Sequence, residues 1–116
     1  MVVINKTKSK TLAESAQICF SPLSQAKGLM FSKPLKKNCL VFAFKNERFV
    51  MLHMLFVFSP IDILFLNRKN RVVELRENIK PFTPLIKSKK EVKYVIELPK
   101  GTIKKTKTRL NDLIQF

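Results

Sequence analysis

Apolar positions are densest between Phe49 and Leu66, FVMLHMLFVFSPIDILFL, with Lys45 and Arg48 before the stretch and Arg68, Lys69 and Arg71 after it. Its uncharged run ends at Ile61, well short of the roughly 20 apolar residues a membrane-crossing helix needs. Asp62 facing lipid would be costly, so no membrane span is expected. The pattern instead predicts two consecutive buried strands, broken at Ser59-Pro60, because proline lacks a ladder donor and belongs at a strand's start or edge. Beyond the break Ile61, Ile63 and Phe65 share one face and Asp62, Leu64 and Leu66 the other. Both faces are mostly apolar, as in a strand covered on both sides.

The same reasoning finds shorter elements elsewhere. Val2–Ile4 is a brief strand in a loose, basic arm over residues 1–12, and Ala16–Phe20 a second strand. Ser21 as N-cap and Pro22 at the first helical position open a short helix, with Gly28 near its end. Cys39–Phe44 is a buried strand and Lys45–Arg48 a tight turn. Asn67–Asn70 makes a hairpin loop whose asparagines tolerate positive φ. Arg71–Glu77 alternates as a half-exposed antiparallel strand, with Val73 and Leu75 on one face. Pro81 and Pro84 leave an irregular arm. Val92, Tyr94, Ile96 and Leu98 alternate strictly, and Pro99-Lys100-Gly101 ends that strand. Residues 102–109 read as a short basic helix and Leu113–Phe116 as a closing strand. About seven short strands with regular turn signals predict a mainly β single domain over residues 1–116. The expected form is a small closed barrel or jelly-roll-like sandwich with one or two short helices.

A hydrophobic content of 46% belongs to a globular chain rather than a disordered one. Charge changes the picture more: 23 Lys and Arg against 8 Asp and Glu give a net +15. Such an excess draws anionic partners through counterion release, although a lysine-rich, glycine-poor composition also follows from nucleotide bias or adaptation to heat or salt. The cations expected to meet a nucleic acid non-specifically are Arg68, Lys69 and Arg71; Lys87, Lys89 and Lys90; and Lys104, Lys105, Lys107 and Arg109. They are not interleaved with aromatics, and no base-reading signature is present.

Cys19, Cys39 and the single His53 fall short of the roughly four ligands a structural zinc needs. Their spacing argues for neither a metal site nor a disulfide. Two buried thiols and an N-terminus, MVVINKTKSK, without an apolar secretory segment lead to a cytoplasmic expectation. Dinucleotide, Walker and GxSxG patterns are absent, so no cofactor is expected.

Asp62 is the sharpest candidate. Between Ile61 and Ile63 its carboxylate requires backbone N–H groups or a cation as partners. It either caps a nearby turn or loop, or, with Pro60, forms the rim of a ligand site on a non-enzymatic binding module. A rival arrangement has Asp62, His53 and Glu97 converge as an acid–base site. Glu97 points opposite Tyr94, Ile96 and Leu98 by alternation.

Several short matches fall in order along the chain: Gly28-Leu29-Met30; His53-Met54 followed by Pro60-Ile61-Asp62-Ile63-Leu64-Phe65; Tyr94 to Gly101, YVIELPKG; and Asn111-Asp112. Together they resemble the domain-of-unknown-function 192 family, small proteins of bacteria and archaea, over residues 12–116. The chain departs from that family's pattern at Gln25, where an arginine is usual, and at His53–Val57, where Trp-Met-Lys-Asn-Thr is usual. Asn111 replaces a glycine. The resemblance implies a compact β-barrel or jelly-roll-like fold with one or two short helices, and no established activity.

Overall fold

The computed structural model describes residues 1–20, 36–52, 59–83 and 85–116. The helix expected from Pro22, the Gly28 turn, His53 and Pro84 lie outside the described residues. Ten strands and one helix are described, in the order β1 (Val3–Asn5), β2 (Lys10–Ala13), β3 (Ser15–Cys19), β4 (Asn38–Arg48), β5 (Met51–Leu52), β6 (Ile61–Leu66), β7 (Val72–Ile79), β8 (Ile86–Lys87), β9 (Val92–Pro99), α1 (Thr102–Thr106) and β10 (Ile114–Gln115).

The two strongest apolar patterns in the sequence become neighbours at the centre of the fold. β9 and β6 pair antiparallel inside a five-stranded sheet of order β3-β4-β9-β6-β7. Every residue of β6 is buried, and Pro60 lies just before its first ladder position, where a missing donor does no harm. Residues opposed across a ladder share a face, so register sorts the sheet into two apolar sides. Leu40, Phe42, Ile61, Ile63, Phe65 and Val95 form one core with Cys19, Val50 and Ile86. Cys39, Val41, Leu64, Leu66, Ile96 and Leu98 form the other, closed by Val3, Leu12, Ile103 and Ile114.

That two-sided burial explains how the sheet differs from the expected closed barrel. Closure would require β3 to pair with β7. Among the described residues both remain edges, and each face carries its own small sheet, β10-β1-β2 on one side and β5-β8 on the other. The mainly β class stands, with ten strands among the described residues where about seven were expected. Lys45–Arg48 is not a tight turn: β4 runs through it, and after a register shift Arg48 lies opposite Val92. Nor do Val73 and Leu75 share a face. A register shift where Leu66 meets Val72 and Phe65 meets Glu74 packs Val73 against the first core and Leu75 against the second. The Asn67–Asn70 hairpin loop is as expected: Asn70 takes φ 61°, and Asn67 Oδ1 accepts the Lys69 and Arg71 N–H groups at 3.0 Å each.

Residues expected as a loose arm form β1 and β2, with Val3 and Asn5 fully buried. β1 lies between β2 and β10, and a polar network fastens it there. Asn5 Nδ2 donates to Asp112 Oδ2 at 2.9 Å and to Thr108 Oγ1 at 3.0 Å, while Lys8 Nζ donates to Asp112 Oδ1 at 3.0 Å. Cys19 lies opposite Phe42 and Cys39 opposite Ala16. The two thiols thus belong to cores on opposite faces of the sheet, and burial pushes the Cys39 thiol up to about 12.

Burial acts to raise the Asp112 pKa, but hydrogen bonds from Asn5, the Arg109 N–H and Lys8, together with the Lys8 charge, outweigh it and hold the carboxyl below its ordinary value of 3.8. A depressed carboxylate contributes stability above its unfolded pKa and loses it as the pH falls through the folded one. Asp112→Asn should therefore be less stable than the parent near pH 7, and the gap should narrow as the pH falls below 3.8. Urea denaturation of both proteins across that window checks the sign; a gap independent of pH would contradict it.

Candidate functional site

Asp62 is fully buried, and both of its oxygens are occupied by backbone donors. Asn78 N–H donates to Oδ1 at 2.8 Å and Ile103 N–H to Oδ2 at 2.9 Å. Each donor sits where regular pairing fails. Asn78 has φ 50° at a register shift between β6 and β7. α1 opens at Gly101, whose φ of 86° is in the left-handed region that favours glycine, and it has no capping side chain of its own. The first turn of a helix leaves backbone N–H groups without intrahelical partners; here a carboxylate from a distant strand satisfies one. Asp62 thereby ties β7 and α1 to β6.

Glu97 is also buried, on the other side of the sheet. Asp62 lies opposite Leu98, whereas Glu97 lies opposite Ile63 and Leu40. The two carboxylates stand on adjacent strands with the sheet between them, and they do not converge. Burial between aliphatic neighbours raises the Glu97 pKa from 4.5 to about 7. Pro60 is half-buried at the entry to β6. Among the described residues, no group of three or more His, Cys, Asp or Glu side chains could hold a metal ion. No helix among them is long and apolar enough to cross a membrane.

What the structure does assemble is a groove of about 1060 Å³ beside β7. Val73, Glu74, Leu75 and Glu77 line it along the strand. Lys89 and Lys90 come from the loop after β8, and Ile103, Lys104, Lys107, Arg109 and Leu110 from α1 and the turn beyond it. Five of the ten cations named from the sequence thus meet around one groove. Lys87 and Lys105 are exposed outside its lining, and Arg68, Lys69 and Arg71 lie on the β6–β7 hairpin.

The groove's buried acid is already neutralised. Glu74 accepts Arg76 Nε at 3.0 Å and the Lys89 N–H at 2.7 Å, and the second contact fixes the loop carrying Lys89 and Lys90. Glu74 was not a sequence candidate. Its one signal was a carboxylate at an otherwise alternating strand position, and only the register shift reveals that it points inward.

Against known proteins, the profile of the DUF192 family, described as "Uncharacterized ACR", matches residues 3–116. A UPF0127 protein of Thermococcus kodakarensis is 31% identical, the match covering 99% of this chain and 73% of the relative. One from Pyrococcus horikoshii is 28% identical, covering 99% and 98%. Among solved structures, a Sinorhizobium meliloti protein described as a candidate transcription regulator superimposes with a TM-score of 0.87 at 26% identity, covering 98% of this chain and 89% of that one. A Novosphingobium aromaticivorans protein of unknown function gives 0.90 at 21% identity, covering 99% and 83%.

Removing the Asp62 carboxylate strands two buried N–H groups, each worth about 1–3 kcal/mol. Asp62→Ala should lose about 3–5 kcal/mol and melt roughly 10 °C or more below the parent. Asp62→Asn, which keeps one acceptor, should lose less. Equal melting temperatures for parent and Asp62→Ala would show that neither donor depends on it.

For Glu97 the sign is reversed relative to Asp112. A folded pKa raised towards 7 means the native state holds the proton longer than the unfolded state, so stability falls as the pH rises from 4.5 to about 7. Glu97→Gln should gain on the parent across that interval, by up to about 3 kcal/mol. Denaturation curves at each end of the interval measure the gain.

Proposed function

The chain belongs to the DUF192 family of uncharacterised proteins, and from that premise we propose that it is a non-enzymatic binding module whose groove beside β7 takes an anionic partner. The observation that carries this reading is the convergence of Lys89, Lys90, Lys104, Lys107 and Arg109, from the segments before and after β9, around one concave surface. A solvated, merely compositional charge has no reason to concentrate in a concavity. Clustered cations in a groove focus potential and raise the local concentration of anions. One of the groove's two carboxylates is already paired with Arg76, which leaves the lysines in excess.

The rim reading around Asp62 draws less support, because both carboxylate oxygens are committed to backbone donors. An acid–base site uniting Asp62 with Glu97 is opposed by their placement on opposite faces of the sheet. Phosphate backbones are one chemistry the groove suits, in keeping with the Sinorhizobium relative's description as a candidate transcription regulator.

Duplex DNA provides a calibrated polyanion probe, since each phosphate neutralised contributes about −0.9 to the slope of log K against log salt. Engagement of the groove cations should give a slope near −4 to −5, the same for random and defined sequences. Lys104→Ala combined with Lys107→Ala should reduce its magnitude by about 2, whereas Arg68→Ala with Lys69→Ala should leave it unchanged. Fluorescence anisotropy across a salt series measures both. Equal slopes for parent and groove variant would remove the groove as the DNA contact, and an absence of binding at about 50 mM salt by DNA and by other polyanions alike would overturn the assignment.

A further inference from the structure

We propose that the groove's occupant is an acidic peptide in extended conformation, which adds to β7 as a further strand of the central sheet. This rests on the groove being an anion-binding site and goes on to name the class of partner.

β7 is the last strand of its sheet, paired on one side with β6 and, among the described residues, with no strand on its other side. The chain itself begins a ladder on that open side and then abandons it. Leu113 bridges Arg71 in antiparallel fashion, Val72 N–H donates to the Asp112 carbonyl at 3.0 Å, and Asn111 N–H donates to the Val72 carbonyl at 2.8 Å. Beyond Val72 the pairing stops, and the groove starts at Val73.

The groove is moreover lined from both faces of the sheet. Glu74 faces the first core side with the loop it holds, while Leu75 and Ile103 belong to the second. A concavity reached from both faces of an edge strand has that edge as its floor. From Val73 to Glu77 the edge spans about 17 Å.

An unpaired edge recognises a peptide through main-chain hydrogen bonds, and flanking side chains set the preference. An incoming strand would direct alternate side chains towards Lys89 and Lys90 on one flank and towards Lys104 and Lys107 on the other. Acidic residues suit both flanks. Among the described residues no aromatic side chain lines the groove, and stacking platforms are what single-stranded nucleic acids depend on. Aliphatic Val73 and Leu75 suit an extended chain better.

The test is a titration of the full chain, labelled with nitrogen-15, with a capped peptide rich in glutamate and interspersed with valine, about six residues long to match the edge. Binding should shift the Val73–Glu77 amides and slow their hydrogen exchange. Two further peptides, N-methylated at alternate amides on one edge or on the other, separate pairing from charge. One should bind as well as the parent peptide and the other at least about tenfold more weakly, the equivalent of two lost backbone hydrogen bonds. If all three bind equally, charge alone holds the peptide: the anion-binding reading survives and strand addition does not. If duplex DNA binds and the peptide does not, the occupant is a nucleic acid and the inference is overturned. If neither binds at low salt, both readings fall, and the lysines only guard an open edge against aggregation.

Discussion

The structure depends on one carboxylate that has no access to water. A carboxyl group in an apolar interior is unfavourable unless hydrogen bonds replace its hydration, and Asp62 meets that requirement with the backbone N–H groups of Asn78 and Ile103. The same bonds meet the donors' needs. Asn78 leaves the ladder at a register shift, and Ile103 lies in the first turn of a helix with no cap of its own. Three local faults in the hydrogen-bond pattern thereby cancel one another. In doing so they set α1 against the end of β7, and the groove is the space left between those elements and the loop after β8.

The central elements were legible because they obey simple periods. β6 reads as a strand buried on both faces, β9 alternates over most of its length, and the Asn67–Asn70 loop has the residues its backbone demands. The small resemblance motifs pointed to the family that the profile match shows. Less legible was anything depending on register between strands far apart in sequence. Alternation within β6 and β9 each gave a carboxylate, but only their pairing shows Asp62 and Glu97 back to back. Within β7, one inserted position moved Leu75 to the second core and turned Glu74 inward, and no local pattern marks the place. The groove was half visible: its cations were named from the sequence, but as separate loops, because nothing short of the topology brings residues 89–90 beside residues 104–109.

The open sheet has a similar origin. Parallel pairing of β3 with β4 requires a crossover rather than a hairpin. With β3 at one edge and β7 at the other among the described residues, the sheet stays two-sided. Each side is then finished by a small, separate sheet, and this is why short strands outnumber those that periodicity alone could find.

The fastening of β1 bears on how the protein is made. Asn5 and Asp112, joined at 2.9 Å, are 107 residues apart in sequence, and β1 finds one of its two neighbouring strands only when β10 exists. Domains emerge during synthesis at about 5–20 residues per second. Val3 and Asn5 therefore wait roughly 5–20 s on the ribosome before the partners that bury them have been translated. The central sheet is itself complete only once β9 ends at Pro99, so for the last few seconds of that interval the face which β1 and β10 will cover is exposed. The seam between β1 and β10 joins strands more than 100 residues apart, so a nascent chain stalled before Ile114 leaves that apolar face uncovered.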